Sequence, residues 1–336
     1  MKIALILISI TLPLAVSNLS ASTLYVTERF NGNVVAIDTE TGQGRVVASG
    51  LGGMIGATVD RRGRLFVCRW DAQAVALVDP ASNSFTDIVT GITGHGLFAD
   101  PNSDTLYLGG YYSPVVYRIA QDELGTWQVD VVVNDLPEPI GVYLDGQVLY
   151  VGDRLGGLYA QNLGTGTCEQ VVALPAGGDI ISREAGGDLI VGTAQQYVYR
   201  VDVAARSIVR TYEGFANPAG VIVDPADNSV LVCEQGGHRI TRLNLATDER
   251  QMLTDFVECP YQPAFAKEVG FPLRLQTPIR NGNFLTISWN GGPTIKLQKT
   301  ASLENPNWQD VAGSEGLSSM NLPTPDRSAF FRLVRP

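Results

Sequence analysis

An apolar triplet returns six times along the chain at a near-constant interval. Leu24-Tyr-Val, Leu65-Phe-Val, Leu106-Tyr-Leu, Leu149-Tyr-Val, Leu189-Ile-Val and Val230-Leu-Val lie 41, 41, 43, 40 and 41 residues apart. A second marker precedes every triplet but the first: GATVD at Gly56, GLFAD at Gly96, GVYLD at Gly141, IISRE at Ile180 and GVIVD at Gly220. Two markers on one period constrain the fold more than any local pattern. A unit of that length is one supersecondary element, and it must bury itself against its copies. From Gly56 onward the unit reads GATVD, RLFV, AVALVD and FTDIV, with Gly, Asp, Asn and Pro in the gaps. These runs are β-branched or alternating, and none has helical apolar spacing. Each unit is therefore a four-stranded antiparallel meander.

Six meanders in a ring make an all-β fold, a six-bladed β-propeller. The ends of the repeat predict how the ring closes. The chain enters at STLYV, a second strand with no first strand before it, and leaves through YQPAFAKE (Tyr261 to Glu268), an orphan first strand. PAFAK is expected to complete the sheet begun by Leu24, which leaves no open edge. After Phe271 the period stops. LTISW, TIKLQKT, NWQDV and SAFFRLV then read as strands of a small β-sandwich. Its aromatics Trp289, Trp308, Phe330 and Phe331 fall on strands beside apolar neighbours and read as core rather than as a carbohydrate platform. MKIALILISITLPLAVS at the start carries one lysine, an apolar run too short to span a bilayer comfortably, and small residues after it. The expected division is a signal peptide over 1–21, the propeller over 22–268 and the C-terminal module over 269–336. Such a chain is secreted or periplasmic.

The net charge of −10 and the lack of any basic run exclude nucleic acid and anionic membranes as partners. An acidic chain suits cationic or neutral ligands or a divalent metal, and a monomer is expected. The four cysteines (Cys68, Cys168, Cys233, Cys259) form no CxxC or metal-ligand spacing. Cys233 and Cys259, on one face of the last blade, are the one pair read as able to meet. No GxSxG, no catalytic Cys/His pair and no phosphate loop is present.

In a meander blade the loop after the second strand and the loop before the first open on one face. Two rings of residues should then surround the mouth of the central channel, where propellers take ligands. Glu28, Arg69, Gly110, Asp153, Thr193 and Glu234 follow the triplets. Ile55, His95, Ile140, Asp179, Ala219 and Gln262 precede the first strands. Carboxylates facing one another across a pore repel unless a cation sits among them. Glu28, Asp153, Asp179 and Glu234 are accordingly candidate metal ligands, with Ca²⁺ first because its ligands are oxygens. Zn²⁺ comes second, through His95 with Asp179 and Glu28. Arg69, Thr193 and Gln262 are candidate ligand-binding residues. His95 with Asp179 is the candidate catalytic pair, a base and the carboxylate that orients it. Polar residues at a rim are also what any propeller needs to meet water.

GVIVDPADNSVLVCEQGGHRITRLN resembles the NHL and SMP-30/gluconolactonase-like propellers, over Ser22 to about Glu268. That resemblance implies the fold, and it spans lactonases, lyases and plain binding scaffolds. Metal ligands of the hydrolases precede first strands in Asn-Gly and Asp-Gly pairs, with a Glu from an EGP segment. Asp179 matches the Asp position without its glycine, and Gln262-Pro263 stands nearest the Glu position. Neither EGP nor NGL occurs. GHGLFAD around His95 resembles the mouth-histidine segment of propeller lyases. The second domain resembles a short C-terminal module of secreted bacterial proteins. Three readings stay open. One is a propeller binding a small molecule or a protein at its mouth without chemistry. The others are a metal-dependent lactone or ester hydrolase and a lyase using His95.

Overall fold

The structure, a computed structural model, describes residues 23–266 and, beyond them, 279–281, 284–288, 296–302, 307–314, 319–323 and 329–334. The expected signal peptide and Trp289 lie outside the described residues. Among the described residues no helix is long and apolar enough to cross a membrane. The chain divides into two compact units, Ala21–Lys267 and a C-terminal unit from Glu268.

The first unit is a six-bladed β-propeller. Blade 2 holds Met54–Val59, Leu65–Arg69, Ala74–Asp79 and Ser84–Thr90, hydrogen-bonded in that order from the axis outward. Blades 3 to 6 repeat the plan, with inner strands Gly94–Ala99, Pro139–Asp145, Ile181–Arg183 and Gly220–Val223. Blade 1 is assembled from both ends of the unit. Pro260–Phe265 pairs with Thr23–Glu28 (Leu24 opposite Phe265, Val26 opposite Pro263), so the last strand is the inner strand of the first blade. The six inner strands touch one another in ring order, and the ring is closed.

Why the triplets are apolar at every position follows from the packing. A blade is buried on both faces, so alternate residues serve two neighbours. Leu65 and Val67 pack toward blade 1, in a cluster with Val34, Ala48 and Ala264. Phe66 and Cys68 turn the other way, against Leu97, Leu106 and Ile119 of blade 3. The same division recurs around the ring, giving one apolar cluster between each pair of neighbouring blades.

The glycines that open the inner strands reflect crowding at the axis. A Cβ on Gly141 would stand 1.8 Å from the Asp179 carbonyl oxygen, and one on Gly220 1.7 Å from that of Tyr261. No side chain fits there. Cys233 and Cys259 are both free thiols, as are Cys68 and Cys168, which corrects the expected pairing.

The C-terminal unit contains two three-stranded sheets. One orders Ile279–Asn281, Phe284–Ser288 and Ser319–Pro323; the other orders Gln309–Asp310, Lys296–Thr300 and Phe330–Val334. Ile287, Leu297 and Val311 form its buried centre, and Phe331 packs against them. The Arg332 guanidinium covers the Trp308 ring at 4.4 Å, while Phe330 is exposed.

Candidate functional site

Strand register decides which residues reach the axis. Pro263, Ala57, Leu97, Val142, Ile181 and Val221 stand opposite equivalent residues of the six triplets. Counting back two positions places Tyr261, Ile55, His95, Ile140, Asp179 and Ala219 in one layer around the channel. Five of these are the residues expected from the sequence. The sixth is Tyr261, not Gln262, because Gln262 stands where the other blades carry Gly or Ile180. Its side chain lies toward the far end of the channel: the Gln262 amide donates to Leu97 O at 2.7 Å, and Leu97 N donates to Gln262 Oε1 at 3.0 Å. Gln262 ties blade 1 to blade 3 across the channel.

The correction completes a polar trio on alternate blades 1, 3 and 5, with Ile55, Ile140 and Ala219 between. The Tyr261 hydroxyl donates to Asp179 Oδ2 at 2.8 Å and lies 2.9 Å from His95 Nε2, which donates to it. His95 Nδ1 and Asp179 Oδ1 approach to 3.6 Å, and neither has a hydrogen-bond partner. The three residues are 2%, 1% and 3% exposed (His95, Asp179, Tyr261). Burial holds His95 well below its usual range, with the positive charges of Arg29 and Arg154 acting the same way. Burial also lifts Asp179 to about 7, against the Tyr261 donation and the same two arginines. Tyr261 is raised well above its usual value by burial and by Asp179. His95 and Asp179 are therefore not an ion pair at neutral pH. His95 is neutral there, and Asp179 is divided between its acid and carboxylate forms.

The other expected ring is also displaced by one residue. Glu28, Asp153 and Glu234 end the second strands of blades 1, 4 and 6, and each turns into its own blade. There they accept backbone N–H groups of the loops that lead to the inner strands. Glu258 N donates to Glu28 Oε1 at 2.7 Å, Glu138 N to Asp153 Oδ2 at 2.7 Å, and Ala216 N to Glu234 Oε2 at 2.9 Å. Arg69 closes the corresponding loop with reversed polarity, donating to Leu51 O at 2.7 Å, and also pairs with Asp87. Thr193 donates to Tyr197 O at 2.8 Å. Burial pushes Glu234 up, but donations from Arg239, Thr241 and Ala216 N outweigh it and hold the carboxyl below its usual range. These residues are loop clamps. Among the described residues no group of three or more His, Cys, Asp or Glu is arranged to hold a metal ion. Asp179 is separated from the other three carboxylates, whose oxygens are already engaged, so this donor set does not fit the expected cation.

The residues that do reach the trio come one position later: Arg29, Trp70 and Tyr111, with Gln235 held by Arg29 and Arg154 close enough to act on the charges of His95 and Asp179. The Arg29 guanidinium sits 5.5 Å over the Tyr261 ring and donates to Gln235 Oε1 at 3.4 Å. Tyr111 lies 5.2 Å from the His95 ring and 6.3 Å from Trp70, which packs against Ile55, Ala219 and Tyr261. Arg154, from the blade opposite Arg29, pairs with Glu138 at 3.0 Å. Phe30, Tyr112 and Leu155 form an exposed apolar rim, 66%, 74% and 67% accessible. A hollow of about 450 Å³ between blades 2 and 3 adjoins Trp70, Tyr111 and Tyr112. Below the trio, the far end of the channel opens as a cavity of about 190 Å³, lined by Ala57, Leu97, Ile181, Val221 and Phe265. The mouth thus carries two guanidinium groups, Arg29 and the Glu138-paired Arg154, beside aromatic side chains. Sequence carried one usable signal for it: the residues after the clamps include two arginines and two aromatics.

No family model and no curated protein matches the sequence. Solved structures do share the fold. A chain in the crystal structure of a nidogen/laminin complex superposes with a TM-score of 0.64, covering 73% of this chain and 98% of its own at 13% identity. The PQQ-bound aldose sugar dehydrogenase of Streptomyces coelicolor superposes at 0.50, covering 73% and 90% at 18% identity. At such identities the likeness is one of β-propeller architecture.

Proposed function

We propose that this chain is a binding propeller that takes a small anionic ligand, such as a carboxylate, at the mouth of its channel. One observation carries the reading: Arg29 and Arg154 stand on opposite blades over a buried polar floor walled by Trp70 and Tyr111. Among the described residues Arg29 makes no ion pair; its contacts are Gln235 and the faces of Phe30 and Tyr261. A guanidinium without a carboxylate partner, beside aromatic walls, suits an anion that also has apolar surface. Calorimetric titration with 3-phenylpropionate tests this. Binding that Arg29→Ala weakens about tenfold or more, with the melting temperature held, supports the reading. Undiminished binding to that variant moves the site elsewhere.

A second reading rests on the Tyr261 hydroxyl, which bridges His95 and Asp179. Three groups exchanging protons on one pore axis could serve acid–base chemistry of the lyase type. Turnover of a panel of lactones and cyclic esters, abolished in His95→Ala, would favour it over binding alone. The metal-dependent hydrolase reading has no comparable support, since Glu28, Asp153 and Glu234 are spent on loop clamps.

A further inference from the structure

Nine buried side-chain nitrogen and oxygen atoms of the described residues have no hydrogen-bond partner, and seven of them belong to this mouth. Buried polar atoms are nearly always satisfied, so a concentration of orphans at one place calls for a chemical reason. Five of the seven are polarised across the ring; the other two, Asn217 Oδ1 and Gln235 Nε2, are the remaining ends of two blade 6 amides already joined to each other (Asn217 Nδ2 donates to Gln235 Oε1 at 2.8 Å). Arg29 Nε and Trp70 Nε1, which can only donate, come from blades 1 and 2. Glu138 Oε1 and Asp179 Oδ1, carboxylate oxygens, come from the loop leading into blade 4 and from the start of blade 5. In a six-membered ring blades 1 and 2 lie directly across the axis from blades 4 and 5. His95 Nδ1 stands between the two sets, on blade 3.

The geometry points to a dipolar ligand laid across the axis. Its carboxylate faces Arg29 and Trp70, and its primary ammonium faces Asp179 and the Glu138 oxygen left over from the Glu138–Arg154 pair, which neutralises Arg154; the chemical class is an α-amino acid. This rests on the reading of the mouth as a carboxylate site and adds to it the second charge and the orientation. Two further features fit. The pore is narrow, since a single phenol hydroxyl reaches both His95 and Asp179 at 2.9 and 2.8 Å, so the two charged ends of the ligand must be close together. Tyr111 covers the floor, and with Tyr112 it borders the hollow of about 450 Å³, so that ligand entry would turn both rings into it. Once they turn, Trp70 and Tyr111 wall the space left for an aromatic or large apolar side chain.

Three probes on the full chain separate the parts: L-phenylalanine, 3-phenylpropionate (no ammonium) and L-phenylalaninamide (no carboxylate). L-phenylalanine should bind at least about tenfold more tightly than either of the others, because each lacks a partner for one buried set. Glu138→Gln should shrink the advantage over 3-phenylpropionate, and Arg29→Ala the advantage over the amide. Melting temperatures of both variants show whether the fold is kept. If 3-phenylpropionate binds as tightly as L-phenylalanine, the dipolar assignment falls while the anionic mouth stands. If neither carboxylate binds, both fall together.

Discussion

Asp179 carries the mouth's pH dependence. Its carboxyl is raised from 3.8 to about 7 in the fold, chiefly by burial, with Tyr261, Arg29 and Arg154 opposing and neutral His95 alongside. The folded state therefore keeps a proton that the unfolded chain has lost. Stability from that proton is full below about pH 4 and is lost as pH rises through about 7. His95, held below its usual range, acts in the opposite sense and costs stability as pH falls below about 6.5. In Asp179→Asn the alkaline loss is removed. Relative to wild type the variant should gain stability between about pH 5 and pH 8, by up to about 3 kcal/mol, because the difference builds over about two pH units at roughly 1.4 kcal/mol per unit. Urea unfolding at the two pH values measures it, and an unchanged difference would mean that Asp179 titrates as an ordinary surface acid. The cysteines offer a simpler check. Burial pushes Cys68 up to about 12 and Cys233 higher, while Cys168 is exposed and Cys259 half-buried. In the native protein Cys168 should react first with a thiol reagent and Cys68 and Cys233 not at all; all four should react once it is unfolded.

Strands and loops explain which parts of the site could be read in advance. The period of two in a strand makes a one-residue slip exchange faces. His95 and Asp179 were legible because the glycine or triplet beside each marks the register. Tyr261 was not, because blade 1 replaces that glycine with Gln262 and the count slides by one. At the other ring, Glu28, Asp153 and Glu234 have the chemistry of ligands, yet as the final residues of second strands they face loops whose N–H groups need acceptors. The next residue, already in the turn, leans over the pore. The same crowding makes the inner-strand glycines sensitive. Gly220→Ala drives a methyl against the Tyr261 carbonyl, which is backbone and cannot step aside. A loss of about 1–3 kcal/mol is expected in denaturant titration, together with weaker ligand binding because Tyr261 is displaced. An alanine variant as stable as wild type would show that the ring has slack.

The whole molecule is held by closure. Between blades, exposed pairs such as Arg61–Asp104 and Arg206–Glu169, at 2.8 and 3.1 Å, are screened by solvent and contribute little; the apolar clusters and the shared blade 1 supply the rest. A chain ending at Cys259 leaves the Thr23–Glu28 strand as a bare edge and removes Tyr261. It should lose cooperative unfolding and aggregate, whereas a chain ending at Ala266 should keep the propeller's transition. Calorimetry of the two truncations checks this, and a cooperative transition in the shorter one would show that the ring does not depend on its last strand. A net charge of −10 pointed toward cationic ligands, but the mouth's two arginines come from blades 1 and 4, more than a hundred residues apart in the chain. Period, strand content, closing strand and the His95–Asp179 candidates were all determined by sequence, because repetition and alternation are local properties that each unit states for itself. The third member of the trio, the meeting of Arg29 and Arg154 over it and the duty of each carboxylate were decided only by tertiary structure. They depend on which face of a strand end meets the axis and which meets a neighbouring loop, and that is set by packing between blades.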